Sequence, residues 1–146
     1  MYDRPTTAEL LEAVRTHLIN EVIPSLKAKD EKLVAQTTIA ANVLAIVTRE
    51  MQFEAEHLRA EWMRLNFVQN TTPPPPMPTD VKDIRQALAE RNRKLCEEIT
   101  SGRYDYQPQR AALFEHLLVT ARTQLEVANP QFLEALALED ERNEIK

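Results

Sequence analysis

Apolar residues recur at helical spacing along nearly the whole chain, and the interruptions of that rhythm divide it into five helices. Thr6-x-x-Glu9 reads as a capping box, with the Thr6 hydroxyl accepting from the Glu9 amide and the Glu9 carboxylate reaching back to the Thr6 N–H. After it, Leu11, Val14, Leu18 and Val22 fall on one arc and predict a buried face. Pro24 ends or kinks this first helix near Ile23. Asp30 then caps a second helix that meets no glycine or proline as far as Phe67. At ~1.5 Å per residue it would span about 55 Å. It therefore either breaks around Thr37–Thr38 or belongs to an elongated molecule.

Placed at helical intervals, that second helix shows two regimes. One apolar stripe runs its full length through Leu33, Ala40, Leu44, Val47, Met51, Leu58, Trp62 and Leu65. A second patch, Ile39, Val43 and Ile46, exists only in the first half, which predicts that this half is the central core helix and the second half an ordinary amphipathic one. Between the patches lies a narrow polar line of Thr38, Asn42 and Arg49. Glu50 falls beside Ile39, Val43 and Ile46, where a carboxylate so close to apolar surface calls for a cationic or donor partner.

The segment "NTTPPPPMPT" cannot continue a helix; its four successive prolines favour a semi-rigid extended spacer. Thr79 and Asp80 start a third helix with Val81, Ile84, Leu88, Leu95 and Ile99 on its buried side, closed by Gly102, where a left-handed residue is cheapest. "RYDYQP" makes the turn into a fourth helix with Phe114, Leu117, Leu118, Ala121 and Leu125 facing in. Asn129 as N-cap and Pro130 at the first helical position open a short fifth helix carrying Phe132, Leu133 and Leu136.

Composition sharpens this picture. The chain of 146 residues has a single glycine, and hairpins, bulges and phosphate-cradling loops all lean on glycine, so an all-α chain is favoured. The net charge of −5 disfavours a phosphate backbone as partner. The single cysteine, Cys96, can form no intramolecular bridge, which fits a reducing cytoplasm. No stretch approaches the ~20 apolar residues of a membrane span, and the N-terminus lacks the pattern of a signal peptide.

Candidate chemistry is sparse. Glu54-x-x-His57 matches half of a di-iron bundle signature, but neither His17 nor His116 has the glutamate three residues before it that a second copy needs. The pair falls on the flank of a solvated face. Cys96 lies next to the buried side of the third helix and reads as a core residue. Arg91, Arg93 and Lys94 form a charge run of the solvated kind. No glycine-rich loop could hold a nucleotide phosphate. The polar line remains: Asn42 either ties an adjacent helix, or Thr38, Asn42, Arg49 and Glu50 line a groove for a ligand or partner helix.

Four segments together, "DRPTTAELLEAV", "IAANVLAIVTRE", "LCEEI" and "LEVANPQFL", resemble a bacterial family of small helical proteins of unknown function. Members of that family are typically encoded beside aminoglycoside-phosphotransferase-like kinases and acyl-CoA dehydrogenases. One similar protein supports a kinase that phosphorylates 4-hydroxyacyl-CoA. Where the family usually shows a histidine and a basic residue before the alanine–asparagine pair, this chain has "VAQTT". The resemblance implies a non-catalytic accessory protein whose larger partner supplies the nucleotide site.

The expectation is thus a single all-α domain over residues 1–146, a bundle of four main helices plus a short fifth around the first half of the second, with residues 70–79 as an internal linker. No cofactor, metal or catalytic residue is expected. Asp3 and Arg4, flanking the start of the first helix, with Thr38, Asn42, Arg49, Glu50 and Asn129, are the candidate contact or buried polar residues. Self-association through Met51, Leu58, Trp62 and Leu65 of the long helix, and a carboxylate metal site at Glu54 and His57, are the rival readings.

Overall fold

The computed structural model describes residues 4–27, 30–106 and 108–144. The fold is all-α, with no strand among the described residues. The elements are α1 (Thr7–His17), a π-turn (Leu18–Val22), α2 (Ile23–Leu26), α3 (Glu31–Gln69), α4 (Val81–Thr100), α5 (Gln109–Ala128) and α6 (Pro130–Glu144). Contacts divide the chain into two compact units, Met1–Phe53 and Glu54–Lys146, with α3 contributing its first part to one and its last part to the other.

In the first unit the capping box is complete: the Thr6 N–H donates to Glu9 at 2.7 Å and the Glu9 N–H to the Thr6 hydroxyl at 3.2 Å. Pro24 does not end the helix, because the ladder widens just before it. The Ile23 N–H reaches back five residues to the Leu18 carbonyl, and this wider π-turn absorbs a ring that would otherwise clash with the preceding turn. Val14, expected inside, is exposed, whereas Leu11, Leu18 and Val22 are half-buried.

Of the two alternatives for the long helix, the break at Thr37–Thr38 is absent, and α3 runs unbroken for 39 residues. Both threonines turn their hydroxyls onto their own helix, Thr37 donating to the Leu33 carbonyl at 2.7 Å and Thr38 to the Val34 carbonyl at 2.9 Å, so neither competes with the ladder. Asp30 caps the start by accepting from the Leu33 N–H at 3.0 Å. Asn70 ends the helix in the left-handed conformation, at φ 47°.

The placement of the core reverses the expectation. In the first half of α3, Ala41 is buried, while Ile39 is 62% and Val43 51% exposed. The α3 side of the cleft with α1 is small and polar (Ala45, Thr48, Arg49 and Gln52), and Val34, Leu44 and Ile46 are half-buried. The core lies instead in the second unit, where Trp62, Leu65 and Val68 of α3 pack with Ile84, Leu88 and Leu95 of α4, Tyr104, and Leu113 of α5. Trp62 and Leu65 are therefore consumed by the chain's own core, and Leu58 packs against it.

α4 buries Ile84, Leu88 and Leu95 as its periodicity predicts, with Ile99 at the edge of exposure. It closes with a complete Schellman turn. The Gly102 N–H bonds the Ile99 carbonyl at 3.0 Å and the Arg103 N–H bonds that of Glu98 at 3.1 Å, with Gly102 at φ +81°. Cys96 is exposed rather than core, because it stands about 100° around the helix from Leu95.

α5 is rotated relative to its hydrophobic pattern. Phe114, Leu117, Leu118 and Ala121 are exposed, and Leu113 and His116 point inward with Thr120 and Thr123 half-buried on the same side. On this inward arc Thr123 donates to the Thr120 carbonyl of its own helix at 2.9 Å, while His116 Nδ1 and Thr120 Oγ1 are buried without a hydrogen-bond partner. α6 is a full helix of 15 residues, longer than expected, and packs on α5. Asn129 caps it, accepting from the Phe132 N–H at 3.3 Å.

Candidate functional site

The polar residues singled out from the sequence do not converge. Asp3 lies outside the described residues, and Arg4 is exposed. Thr38 is spent on its own helix and Asn42 is solvated, so the amide needs no buried partner. Arg49 is half-buried and lines a cleft where Glu9, Glu12 and Arg15 of α1 face Ala45, Thr48 and Gln52 of α3. Glu50 lies outside that cleft, exposed on the side of Ile39 and Val43. Asn129 serves as a helix cap.

Glu54 and His57 go to separate partners. Glu54 ion-pairs with Arg85 of α4, and His57 Nε2 stands 3.5 Å from Glu126 of α5. Among the described residues, no group of three or more His, Cys, Asp or Glu side chains could hold a metal ion.

A different polar cluster lies in the second unit. Arg91 occupies the position between Leu88 and Leu95 on the buried arc of α4, not the solvated run its sequence neighbours suggest. Its guanidinium lies 4.4 Å from the centroid of the Trp62 ring and donates to Gln69 Oε1 from Nε at 3.1 Å and Nη2 at 2.8 Å. Next to Trp62 on α3, Glu61 accepts from Asn92 at 2.7 Å. His116 enters the same region from α5, with Nδ1 buried and without a hydrogen-bond partner. Burial pushes its pKa down from 6.5; the Glu61 carboxylate opposes this, and Arg64 and Arg91 reinforce it. The imidazole is thus neutral at pH 7. The neutral His116 is enclosed beside Arg91, which Gln69 and Trp62 hold, while Arg64 Nε is buried without a hydrogen-bond partner.

Tyr104, which the sequence reading passed over as part of a turn, anchors the other end of this unit. Its ring is in the core and its hydroxyl donates to Glu98 Oε2 at 3.0 Å, while Arg103 pairs with Glu98 Oε1 at 2.6 Å. Burial, then the hydrogen bond to Glu98 and its negative charge, push the phenol up to about 12. The available signal was an aromatic residue two positions after the only glycine. Beside it lies a mostly apolar cleft of ≈ 630 Å³, whose apolar wall comes from Ile99, Tyr104, Leu113, Phe114 and Leu117, with Asp105 and Arg110 supplying charge.

The cleft and the outward aliphatic arcs leave large apolar side chains open to solvent. Phe114 is 67% exposed and Leu117 47%, and these side chains would gain from burial against another surface. No helix among the described residues is long and apolar enough to cross a membrane.

Residues 27–132, more than two thirds of the chain, match the model of a domain of unknown function, DUF6285, and the chain belongs to that family. No curated protein and no solved structure matches it.

Proposed function

We propose that this protein is a non-catalytic accessory subunit that binds a larger phosphotransferase-like kinase acting on hydroxyacyl-CoA substrates in acyl-CoA catabolism. The observation that carries the interaction reading is the apolar cleft of the second unit, with Phe114 and Leu117 on its wall and the charges of Asp105 and Arg110 beside it. Large apolar groups next to a few orienting charges are what a partner's side chain needs for a buried contact. The kinase as partner is supported by the resemblance of "DRPTTAELLEAV", "IAANVLAIVTRE", "LCEEI" and "LEVANPQFL" to small proteins encoded beside such kinases. In this reading the subunit contributes surface and orders a loop of the kinase, while the kinase supplies the nucleotide site and catalytic base.

Co-expression of the tagged chain with a phosphotransferase-like hydroxyacyl-CoA kinase from the same organism tests the proposal. The expected result is co-elution and a gain in kinase solubility or turnover, both lost in Phe114→Glu and Leu117→Glu variants with unchanged circular dichroism. A kinase that is soluble and fully active alone, and that never co-elutes with this chain, overturns it.

A further inference from the structure

The first half of α3 presents a seam that is exposed at every position but Ile46, which is half-buried. Lys32, Gln36, Ile39, Val43, Ile46 and Glu50 follow one another at alternating steps of four and three residues, the spacing by which two helices pack side by side. At about 100° per residue, Ala41 stands roughly 160° around the helix from both Ile39 and Val43. Ala41 is 2% exposed, on the side covered within the unit, whereas Ile39 and Val43 are more than half exposed. The cleft with α1 uses Ala45, Thr48, Arg49 and Gln52 of α3 and none of the seam residues.

We infer that the occupant of this seam is a second copy of the chain, laid antiparallel across a two-fold axis at the level of Ala41. The seam read backwards complements itself. Residues 32 and 50, 36 and 46, and 39 and 43 are pairwise equidistant from residue 41. Antiparallel pairing therefore sets Ile39 against Val43, Gln36 against Ile46, and Lys32 against Glu50, each twice, as an isologous interface requires. Parallel pairing would instead set lysine against lysine and glutamate against glutamate. The outermost pairs lie about 13 Å along the helix from the axis. With helices crossing at about 20°, a lysine still spans the widening gap there. Among the described residues neither Lys32 nor Glu50 has an ion-pair partner, and the dimer supplies one to each. A seam of about five turns is small beside standard interfaces, which bury roughly 800 Å² per partner, so association falls in the micromolar range.

This inference does not depend on the kinase, and its test uses the purified chain alone. Sedimentation velocity from about 1 to 200 µM, bracketing the micromolar association argued for so small an interface, is expected to show a reversible monomer–dimer equilibrium. Val43→Glu should abolish it. Glu50→Lys and Lys32→Glu should each weaken it roughly tenfold, since two symmetric pairs change from attraction to repulsion. The double variant Lys32→Glu/Glu50→Lys should restore the dimer, a rescue that a parallel or differently placed pairing would not give. All three substitutions are at exposed positions, and circular dichroism checks that each variant keeps its fold. A monomer at every concentration, a dimer indifferent to Val43→Glu, or failure of the double variant to recover would each overturn the proposal.

Discussion

Leu65 and Val43 are both apolar residues of the same continuous helix, and the sequence pattern alone would put the greater weight on Val43. Truncating each to alanine separates the pattern from the packing. Leu65 is 0% exposed and sits among Trp62, Val68, Ile84 and Leu88. Leu65→Ala removes three buried carbons and leaves a cavity walled by close-packed neighbours, a combination that costs about 3–4 kcal/mol. Val43 is 51% exposed, so Val43→Ala removes little buried surface within one chain and should cost under about 0.5 kcal/mol. Urea denaturation serves as the assay. Trp62, the single tryptophan, belongs to the Leu65 core and reports its unfolding by fluorescence, while far-ultraviolet circular dichroism follows the helices as a whole. Measurements at about 1 µM keep the weak association expected of a small interface from adding to the apparent stability. A Val43→Ala cost equal to that of Leu65→Ala under those conditions would refute the assignment of the core to the second half of α3.

Four further outcomes follow from the geometry. Gly102→Ala should destabilise by about 1–2 kcal/mol, because φ is +81° and the new Cβ would meet Asp105 Oδ2 at 2.9 Å; the urea midpoint checks this. Tyr104→Phe should remove the phenolate absorbance step near pH 12 from an alkaline titration of the native protein. Arg91→Ala should cost about 1–3 kcal/mol by leaving the buried Gln69 carbonyl without its donor, and should shift Trp62 emission as the guanidinium leaves the ring. The His116 pKa is depressed in the folded chain, so between that value and 6.5 the unfolded state binds more protons and stability falls as pH drops, by at most about 1.4 kcal/mol per pH unit. His116→Gln should flatten that acid limb, read as the urea midpoint at pH 7.5 and pH 5.

The local signals in the sequence translated directly into structure. The capping box at Thr6, the caps at Asp30 and Asn129, the glycine closing α4 and the buried stripe of α4 all involve residues a few positions apart, whose chemistry decides the outcome without help from elsewhere. What failed was the choice of which arc faces in. In the first half of α3 and in α5, several of the largest apolar residues, among them Ile39, Val43, Phe114 and Leu117, lie outward, while Ala41 and His116 are buried. Hydrophobic periodicity finds an apolar arc but cannot say what covers it. At Pro24, of the two outcomes left open, the helix does not end, and the π-turn that accommodates the ring leaves no mark in the residue pattern. The Arg91, Gln69 and Trp62 contact joins positions far apart in the chain, and only the fold could reveal it.

The same mismatch bears on function. A helix hydrophobic all round signals burial on every side. The first half of α3 carries apolar residues on opposite sides, interrupted by the polar line, yet within the chain only one side is covered, with Ala41 enclosed and Ile39 and Val43 open to solvent. The polar line of Thr38, Asn42 and Arg49 falls along the flank between the covered and open sides, so Asn42 borders an apolar surface instead of interrupting a core. Solvation at the border costs that amide nothing in the isolated chain. Where a second surface covers Ile39 and Val43, the amide stands at the rim, the place where interfaces tolerate polar groups. Asn42→Leu would extend the apolar arc around the helix without touching the core. It should leave the monomer's urea midpoint within about 0.5 kcal/mol while promoting concentration-dependent aggregation seen by light scattering. A loss of several kcal/mol in the monomer would instead place that side chain in the interior and undo the assignment of this arc to an interface.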